Sequence, residues 1–238
     1  MLHLNHDLRV LNSMAELDFF TSYNLNYRDL IINDDPYFGV TVNSSYHDVN
    51  SLSALCTRYK SPIYLSINIQ SLMSKHENLT IELAELEKNN VCVDAIAIQE
   101  TWDIKYSDLV SINGFCPVIF KRRRGMRGGG VGFYVRNGIQ AEIIEGLSPF
   151  ENKIIESLTV QLTYPDHKTV MLTSIYRSNG PLPNVTASQQ LDRFMIQFSQ
   201  LLSDINDTKK RSFVFLDANI NILQLHSLES ANYLNCIL

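Results

Sequence analysis

Apolar and polar positions recur in two different periods along the chain, and these periods predict strands and helices. From 62 to 70 apolar residues alternate with polar ones, which is the two-residue period of a strand. Between 74 and 89 leucines recur at the spacing of one helix face among Glu and Lys, with Asn89-Asn90 as a plausible stop. We therefore expect a strand that ends in polar residues, followed by an amphipathic surface helix.

The segments that follow continue this alternation of strands and helices. Residues 91–98 form a short apolar run, as expected for a strand buried on both faces. Further strands are predicted at 131–135, 154–162, 169–175 and 212–216, and a long amphipathic helix at 188–205. This order predicts an α/β fold: a four-layered α/β sandwich in which two packed β-sheets are flanked by helices.

The two ends of the chain differ from this middle. Residues 1–60 are rich in Asn, Ser, Tyr and Asp and keep no sustained period, so we interpret them as an irregular N-terminal arm. Residues 61–238 are interpreted as one domain. Its tail, from 220 to 238, has the spacing of one more helix.

Composition narrows the classes of protein to consider. With 238 residues, 45% of them hydrophobic, the chain is long enough for one large domain with a sizeable core. A net charge of −5 argues against a protein that coats nucleic acid through bulk electrostatics, so any DNA contact must be local. The four cysteines are too widely spaced for a structural zinc site, and no apolar run could cross a membrane. We therefore expect an intracellular protein without membrane contact.

Polar residues stand where the predicted strands end, and loops at such places often carry function. Glu100 directly follows a buried strand and is suited to bind Mg²⁺, which prefers one or two carboxylates plus water and phosphate oxygens. Asp217 and Asn219, two residues apart, could face one phosphate. The alternatives are a structural or solvated glutamate at 100 and an Asx turn at 217–219.

A basic stretch precedes the glycine-rich strand at 131–135. It comprises Lys121, Arg122, Arg123, Arg124 and Arg127. Clustered cations of this kind are candidate DNA-backbone contacts or a nuclear-localisation signal, and a solvated hairpin loop is the alternative. The glycines do not have the spacing of a dinucleotide site, which argues against a nucleotide cofactor.

Taken together and in this order, five segments resemble the endonuclease/exonuclease/phosphatase superfamily. They are Leu-Ser-Ile-Asn-Ile-Gln-Ser-Leu at 65–72, Ile-Gln-Glu-Thr-Trp at 98–102, Arg-Gly-Gly-Gly-Val-Gly-Phe-Tyr-Val at 127–135, Ser-Ile-Tyr-Arg-Ser-Asn at 174–179 and Phe-Leu-Asp-Ala-Asn-Ile-Asn at 215–221. The first and third are most similar to the abasic-endonuclease-type domain of non-LTR retrotransposons. The resemblance implies a nuclear enzyme that nicks DNA with Mg²⁺, or with Mn²⁺ in its place.

The resemblance also implies a role for each matching residue. Glu100 would bind the metal directly and Asn68 would help to order the metal site. Tyr176 would contact the phosphate, Asp217 would orient or activate the attacking water, and Asn219 would donate a hydrogen bond to the phosphate. Arg177, next to Tyr176, is a further candidate DNA contact.

The chain departs from the family pattern in two places. Leu216 and Ala218 flank Asp217 where the family usually has Gly before this Asp and a larger residue after it, and a bulky residue at 216 could crowd the site. The family's later Asp and terminal Asp-His pair find no match, and His226 fits no family motif. We therefore expect a domain without its last strands.

Two functions of different class remain open at this point. The first is a magnesium-dependent DNA endonuclease, and the second is an inactive remnant or nucleic-acid-binding module on the same scaffold. A phosphoesterase acting on lipid or small-molecule phosphates is a further alternative with the same fold.

Overall fold

The computed structural model describes residues 49–59, 61–104, 106–123 and 127–220. Its helices are α1 (Val49–Tyr59), α2 (Leu72–Lys88) and α3 (Ala187–Asp207), with short 3₁₀ turns at Ser107–Val110 and Glu145–Leu147. Its strands are β1 (Tyr64–Asn68), β2 (Ala95–Gln99), β3 (Ile119–Lys121), β4 (Val131–Val135), β5 (Gln140–Ile143), β6 (Phe150–Glu151), β7 (Ile155–Thr163), β8 (Thr169–Tyr176) and β9 (Ser212–Asp217).

The strands form two sheets of mixed direction. The first has the order β1-β2-β4-β3, with β1 parallel to β2 and β4 antiparallel to both of its neighbours. The second has the order β5-β7-β8-β9, with β8 parallel to β9 and the short β6 paired to β7. In each sheet the parallel pair ends on the same side, so polar residues that follow those strands are brought close together.

Three apolar clusters separate the layers. One lies between the sheets, where Phe133 from β4 and Leu158 from β7 are both fully buried. A second packs α1 and α2 against the outer face of the first sheet, and a third packs Phe194 and Phe198 of α3 against the second. The order is helix, sheet, sheet, helix, which confirms the predicted α/β fold of two sheets flanked by helices.

The sequence patterns located the main elements to within a few residues. The strand predicted at 131–135 is β4, and the helix predicted at 188–205 is α3, which begins at a capping box formed by Thr186 and Gln189. The strand predicted at 91–98 begins later, at Ala95, and all five residues of β2 are buried as expected. The sequence patterns missed β3, β5 and β6, since segments of two to four residues are too short to show a period.

The domain division stays a prediction, because most of the proposed arm and the tail at 221–238 lie outside the described residues. The described end of the arm is not irregular, however. Val49–Tyr59 forms α1, whose Leu52 is buried against the outer face of the first sheet. Among the helices that the structure describes, none is long and apolar enough to cross a membrane.

Candidate functional site

Asn68, Glu100 and Asp217 meet where β1, β2 and β9 end. The amide nitrogen of Asn68 donates to Glu100 Oε1 at 2.8 Å and to Asp217 Oδ2 at 2.5 Å. Its amide oxygen accepts from the backbone N–H of Gln70 at 3.2 Å. One amide from the first sheet therefore joins the carboxylate that follows β2 to the carboxylate that ends β9 in the second sheet.

Strand register brings Asn68 and Glu100 together. In the parallel pair, Asn68 lies opposite Gln99, so Glu100 leaves the sheet beside it. Glu100 has a left-handed backbone conformation, with φ 55°, and this turns the chain sharply at the end of β2. The indole Nε1 of Trp102 donates to Glu100 Oε2 at 3.2 Å, so both oxygens of this carboxylate hold hydrogen bonds.

Asp217 and Asn219 form a turn that is anchored to the end of β8. Tyr176 lies opposite Asp217 in the register, and the backbone N–H of Arg177 donates to the Asp217 carbonyl at 2.9 Å. The backbone N–H of Asn219 donates to Asp217 Oδ1 at 3.3 Å, while the Asn219 side chain donates to the Arg177 carbonyl at 2.7 Å. The Asx turn that was the alternative interpretation of 217–219 is present, and it leaves Asp217 Oδ2 directed to Asn68.

Burial and the charges of the site shift two pKa values. Burial raises the pKa of Asp217, hydrogen bonds from Asn68 and Asn219 lower it, and the charge of Glu100 raises it again, so that the net shift is upward. Burial and the charges of Glu100 and Asp217 raise the pKa of Tyr176 to about 12. A hydrogen bond with Ser178 and the charge of Arg123 lower this pKa but do not cancel the rise. Tyr176 is therefore a neutral hydrogen-bond donor near pH 7.

The donor set fits a hard divalent cation. Two carboxylates lie on either side of one amide, and within the described ranges no Lys or Arg forms an ion pair with Glu100 or Asp217. Mg²⁺ typically takes one or two protein carboxylates and completes its octahedron with water and phosphate oxygens. The part of the chain that the structure describes contains no group of three or more His, Cys, Asp or Glu residues placed to bind a metal.

Two of the predicted DNA contacts are buried, which corrects the prediction for Arg123 and Arg177. The Arg123 side chain is 4% exposed and forms an ion pair with Glu156 on β7. Arg177 is 7% exposed, and its guanidinium donates to the carbonyl of Ala218 at 3.0 Å and lies over the ring of Phe194. Both side chains make their contacts inside the protein, and neither is exposed to bind a phosphate at the surface.

The other basic residues of the stretch are placed differently. Arg127 is exposed, and its guanidinium lies 5.1 Å from the ring centroid of Trp102, next to Glu100. Arg122 is exposed and pairs with Asp103. Arg124 lies outside the described residues. Among the candidate DNA contacts that the structure describes, Arg127 is therefore the exposed one that lies beside Trp102.

Two residues near the site escaped the sequence-based assignment of roles. Trp102 was noted only as part of a motif, yet it binds the Glu100 carboxylate. Glu156 was treated as a strand residue, although a carboxylate within the apolar run at 154–162 was a visible signal of a buried polar contact.

Leu216 does not crowd the site as expected, since its side chain packs with the cluster under α3, on the other face of β9 from Phe215.

The model of the endonuclease/exonuclease/phosphatase family matches residues 21–223. No curated protein matches the chain.

Three solved structures illustrate the likeness of fold. The endonuclease domain of TRAS1, a telomere-specific non-LTR retrotransposon, is 14% identical with TM-score 0.50, over 73% of this chain and 68% of that one. The 3′ phosphatase NExo from Neisseria, bound to a product DNA hairpin, is 13% identical with TM-score 0.51, over 73% and 69%. TDP2 from D. rerio, complexed with a single-strand DNA product, is 19% identical with TM-score 0.47, over 71% and 63%. For the first two, whose TM-scores are at least 0.50, the likeness shows a shared fold.

Proposed function

The chain belongs to the endonuclease/exonuclease/phosphatase family, and from this premise we propose that it is a magnesium-dependent DNA endonuclease of the type found in non-LTR retrotransposons. Members of the family are hydrolases that act on phosphodiester bonds. The observation that carries the proposal is the meeting of Glu100 and Asp217 at the amide of Asn68. The reaction is hydrolysis of one strand of a duplex, which leaves a nick.

Glu100 holds the metal in this proposal, with Asn68 ordering the site from its position between the two carboxylates. When bound, Mg²⁺ polarises the scissile phosphate and stabilises the oxygen that departs. Trp102 fixes the orientation of Glu100 by its hydrogen bond to Oε2. A metal ligand that is held in this way loses little freedom when the ion binds.

The other residues act on the water and on the phosphate. Asp217 orients the attacking water and accepts its proton at a carboxylate oxygen, and a raised pKa brings its basicity closer to neutral pH. Tyr176, protonated because its pKa is raised to about 12, donates a hydrogen bond to a phosphate oxygen. Asn219 uses one amide hydrogen for the Arg177 carbonyl, and its second hydrogen is the donor to phosphate.

DNA is the substrate in this proposal for two reasons. Arg127 is exposed beside Trp102, and such cations bind the phosphates of a nucleic-acid backbone. Two structures with the same fold and TM-scores of at least 0.50 are a retrotransposon endonuclease domain and a phosphatase bound to a DNA hairpin. With a net charge of −5, the protein must rely on such local contacts.

The test compares wild type with Glu100→Ala and with the matched control Glu142→Ala on supercoiled plasmid. Glu142 is an exposed glutamate of β5. We expect nicked circles from wild type and from the control with Mg²⁺, none after EDTA, and a loss of about 10²-fold or more in Glu100→Ala.

The same experiment separates the alternatives. Folded wild type that binds the plasmid without nicking it would identify a binding module. Hydrolysis of bis(p-nitrophenyl) phosphate without nicking would identify a phosphoesterase for smaller substrates. Equal nicking by wild type and Glu100→Ala would contradict the assignment of the metal ligand.

A further inference from the structure

We propose that Glu156, a buried carboxylate on β7, is a positioning residue. It fixes the positions of Tyr176 and Glu100 relative to each other. The inference rests on the proposed function, because it assigns Glu156 a part in that reaction. It adds a residue that touches neither the candidate metal ligands nor the substrate surface and acts through Arg123 and the glycines that precede β4.

Glu156 is fully buried, and four groups surround its two oxygens. Arg123 Nε donates to Oε1 at 2.5 Å, and Arg123 NH2 lies against the same oxygen. The backbone N–H of Lys153 donates to Oε1 at 3.1 Å, and the backbone N–H of Gly130 donates to Oε2 at 2.6 Å. A carboxylate accepts in several fixed directions at once, so each partner is held at a defined angle.

The first connection leads to Tyr176. Glu156 lies opposite Tyr176 in the antiparallel pair of β7 and β8, and directly opposed residues project from the same face of a sheet. The guanidinium of Arg123, held by Glu156, lies 6.0 Å from the centroid of the Tyr176 ring. The Arg123–Glu156 ion pair therefore lies beside the Tyr176 ring and limits where the phenol can lie.

The second connection leads to Glu100. Gly130, whose N–H is bound by Glu156, uses its carbonyl to accept from the N–H of Thr101 at 3.3 Å. The carbonyl of Gly129 accepts from the N–H of Trp102 at 2.8 Å. Two hydrogen bonds thus link the residues directly after Glu100 to the backbone that Glu156 fixes.

The glycines are required by this arrangement. A Cβ built on Gly129 would lie 2.5 Å from Glu156 Oε2 and 2.5 Å from Arg123 Nε, and the residue has φ +71°. A Cβ on Gly130 would lie 2.4 Å from Thr101 Oγ1, and its φ is +88°. The glycine run is therefore the point at which the backbone passes directly over the ion pair.

Stability alone gives little reason for a buried ion pair here. Replacing both partners of such a pair by apolar residues of similar volume is often neutral or stabilising, whereas removing one partner is strongly destabilising. The double variant Arg123→Met/Glu156→Leu therefore separates positioning from stability. It keeps the interior filled and removes the directed hydrogen bonds.

The experiment measures Tm, the kcat and KM for plasmid nicking, and the fluorescence of Trp102, which is the only tryptophan in the chain. We expect the double variant to fold with a lower Tm than wild type, because the N–H groups of Gly130 and Lys153 lose their acceptor. Below that Tm we expect a kcat lower by about 10- to 100-fold and a KM within about twofold. We also expect a shifted Trp102 emission, because its backbone and indole contacts both depend on this loop. Glu87→Gln, which breaks the half-exposed Arg136–Glu87 pair, is the control and should change none of these quantities.

Each outcome decides the matter. A stable double variant with wild-type kcat and wild-type Trp102 emission would overturn the proposal and leave the pair a purely structural feature. If the double variant does not fold, Glu156→Gln, which keeps an acceptor for Gly130, is assayed below its Tm, where wild-type kcat overturns the proposal and a reduced kcat supports it. If wild type itself does not nick DNA, the proposed function fails, and the Trp102 emission of the variants still tests the positioning role.

Discussion

Asn68 and Asp217 are 149 positions apart in the sequence, yet the amide nitrogen of Asn68 lies 2.5 Å from a carboxylate oxygen of Asp217. The two residues end strands of different sheets. Their contact therefore depends on how the two sheets pack. A substitution that changes this packing alters the site even when the substituted residue is far from Asn68 and Asp217.

We expect Asp217→Asn to raise stability at neutral pH while it abolishes activity. Burial raises the pKa of Asp217, so the folded protein binds this proton more tightly than the unfolded chain does, and ionisation opposes folding. The gain should be fully present at pH 7, above the raised pKa of the folded protein. It should shrink as the pH falls through the raised folded value and vanish below the ordinary Asp pKa of about 3.9.

Thermal unfolding in EDTA between pH 3 and pH 8 measures this gain. The control is Asp192→Asn, which changes an exposed aspartate of α3 and should alter stability by less than about 0.5 kcal/mol. A lower Tm for Asp217→Asn at pH 7 would contradict the prediction.

We expect Tyr176→Phe to reduce the nicking rate on the order of 10²-fold, because it removes a hydrogen-bond donor to the phosphate. The volume of the side chain is almost unchanged. Since burial and nearby carboxylates raise the pKa of Tyr176 to about 12, the phenol should impose no loss of rate between pH 6 and pH 10. Initial rates over that range measure both effects. Tyr164→Phe is the control, since its hydroxyl bonds Tyr64 at the start of β1, and an unchanged rate in Tyr176→Phe would exclude the phenol from the reaction.

We expect Gly129→Ala to lower stability by about 1–3 kcal/mol more than Gly138→Ala does. Both glycines have positive φ, so both substitutions carry the same type of backbone strain. At Gly138 a Cβ meets no atom within 4 Å, whereas at Gly129 it meets Arg123 and Glu156 at 2.5 Å. Urea unfolding of the two variants measures the difference, and equal losses would show that the ion pair adjusts without cost.

We expect Arg127→Ala to raise the KM for DNA about 3- to 10-fold and to reduce the slope of log affinity against log salt by about 1. Arg127 is exposed beside Trp102, where a bound phosphate backbone would pass. Lys209→Ala is the control, because Lys209 is exposed and precedes β9 at the end opposite Asp217. Binding isotherms between 50 and 200 mM salt measure the slope, and equal slopes for wild type and Arg127→Ala would remove Arg127 from the interface.

The sequence by itself determined the order of the longer strands and of α2 and α3, and the polar residues at the strand ends. Period and length are local properties, so β4 and α3 could be located from the pattern of side chains alone. The polar residues Asn68, Glu100 and Asp217 could be selected because each ends or follows a strand. The resemblance of the motifs then supplied roles that no single residue could have indicated.

Only the tertiary structure decided which charged residues are buried in ion pairs and which are exposed to bind a ligand. Arg123 and Arg127 belong to one basic stretch, yet Arg123 is buried against Glu156 while Arg127 is exposed beside Trp102. Burial and pairing depend on residues distant in the chain, and the free energy of a charge depends on the groups around it rather than on its neighbours in sequence. The part assigned to Glu156 became visible for that reason only when the two sheets were seen to pack.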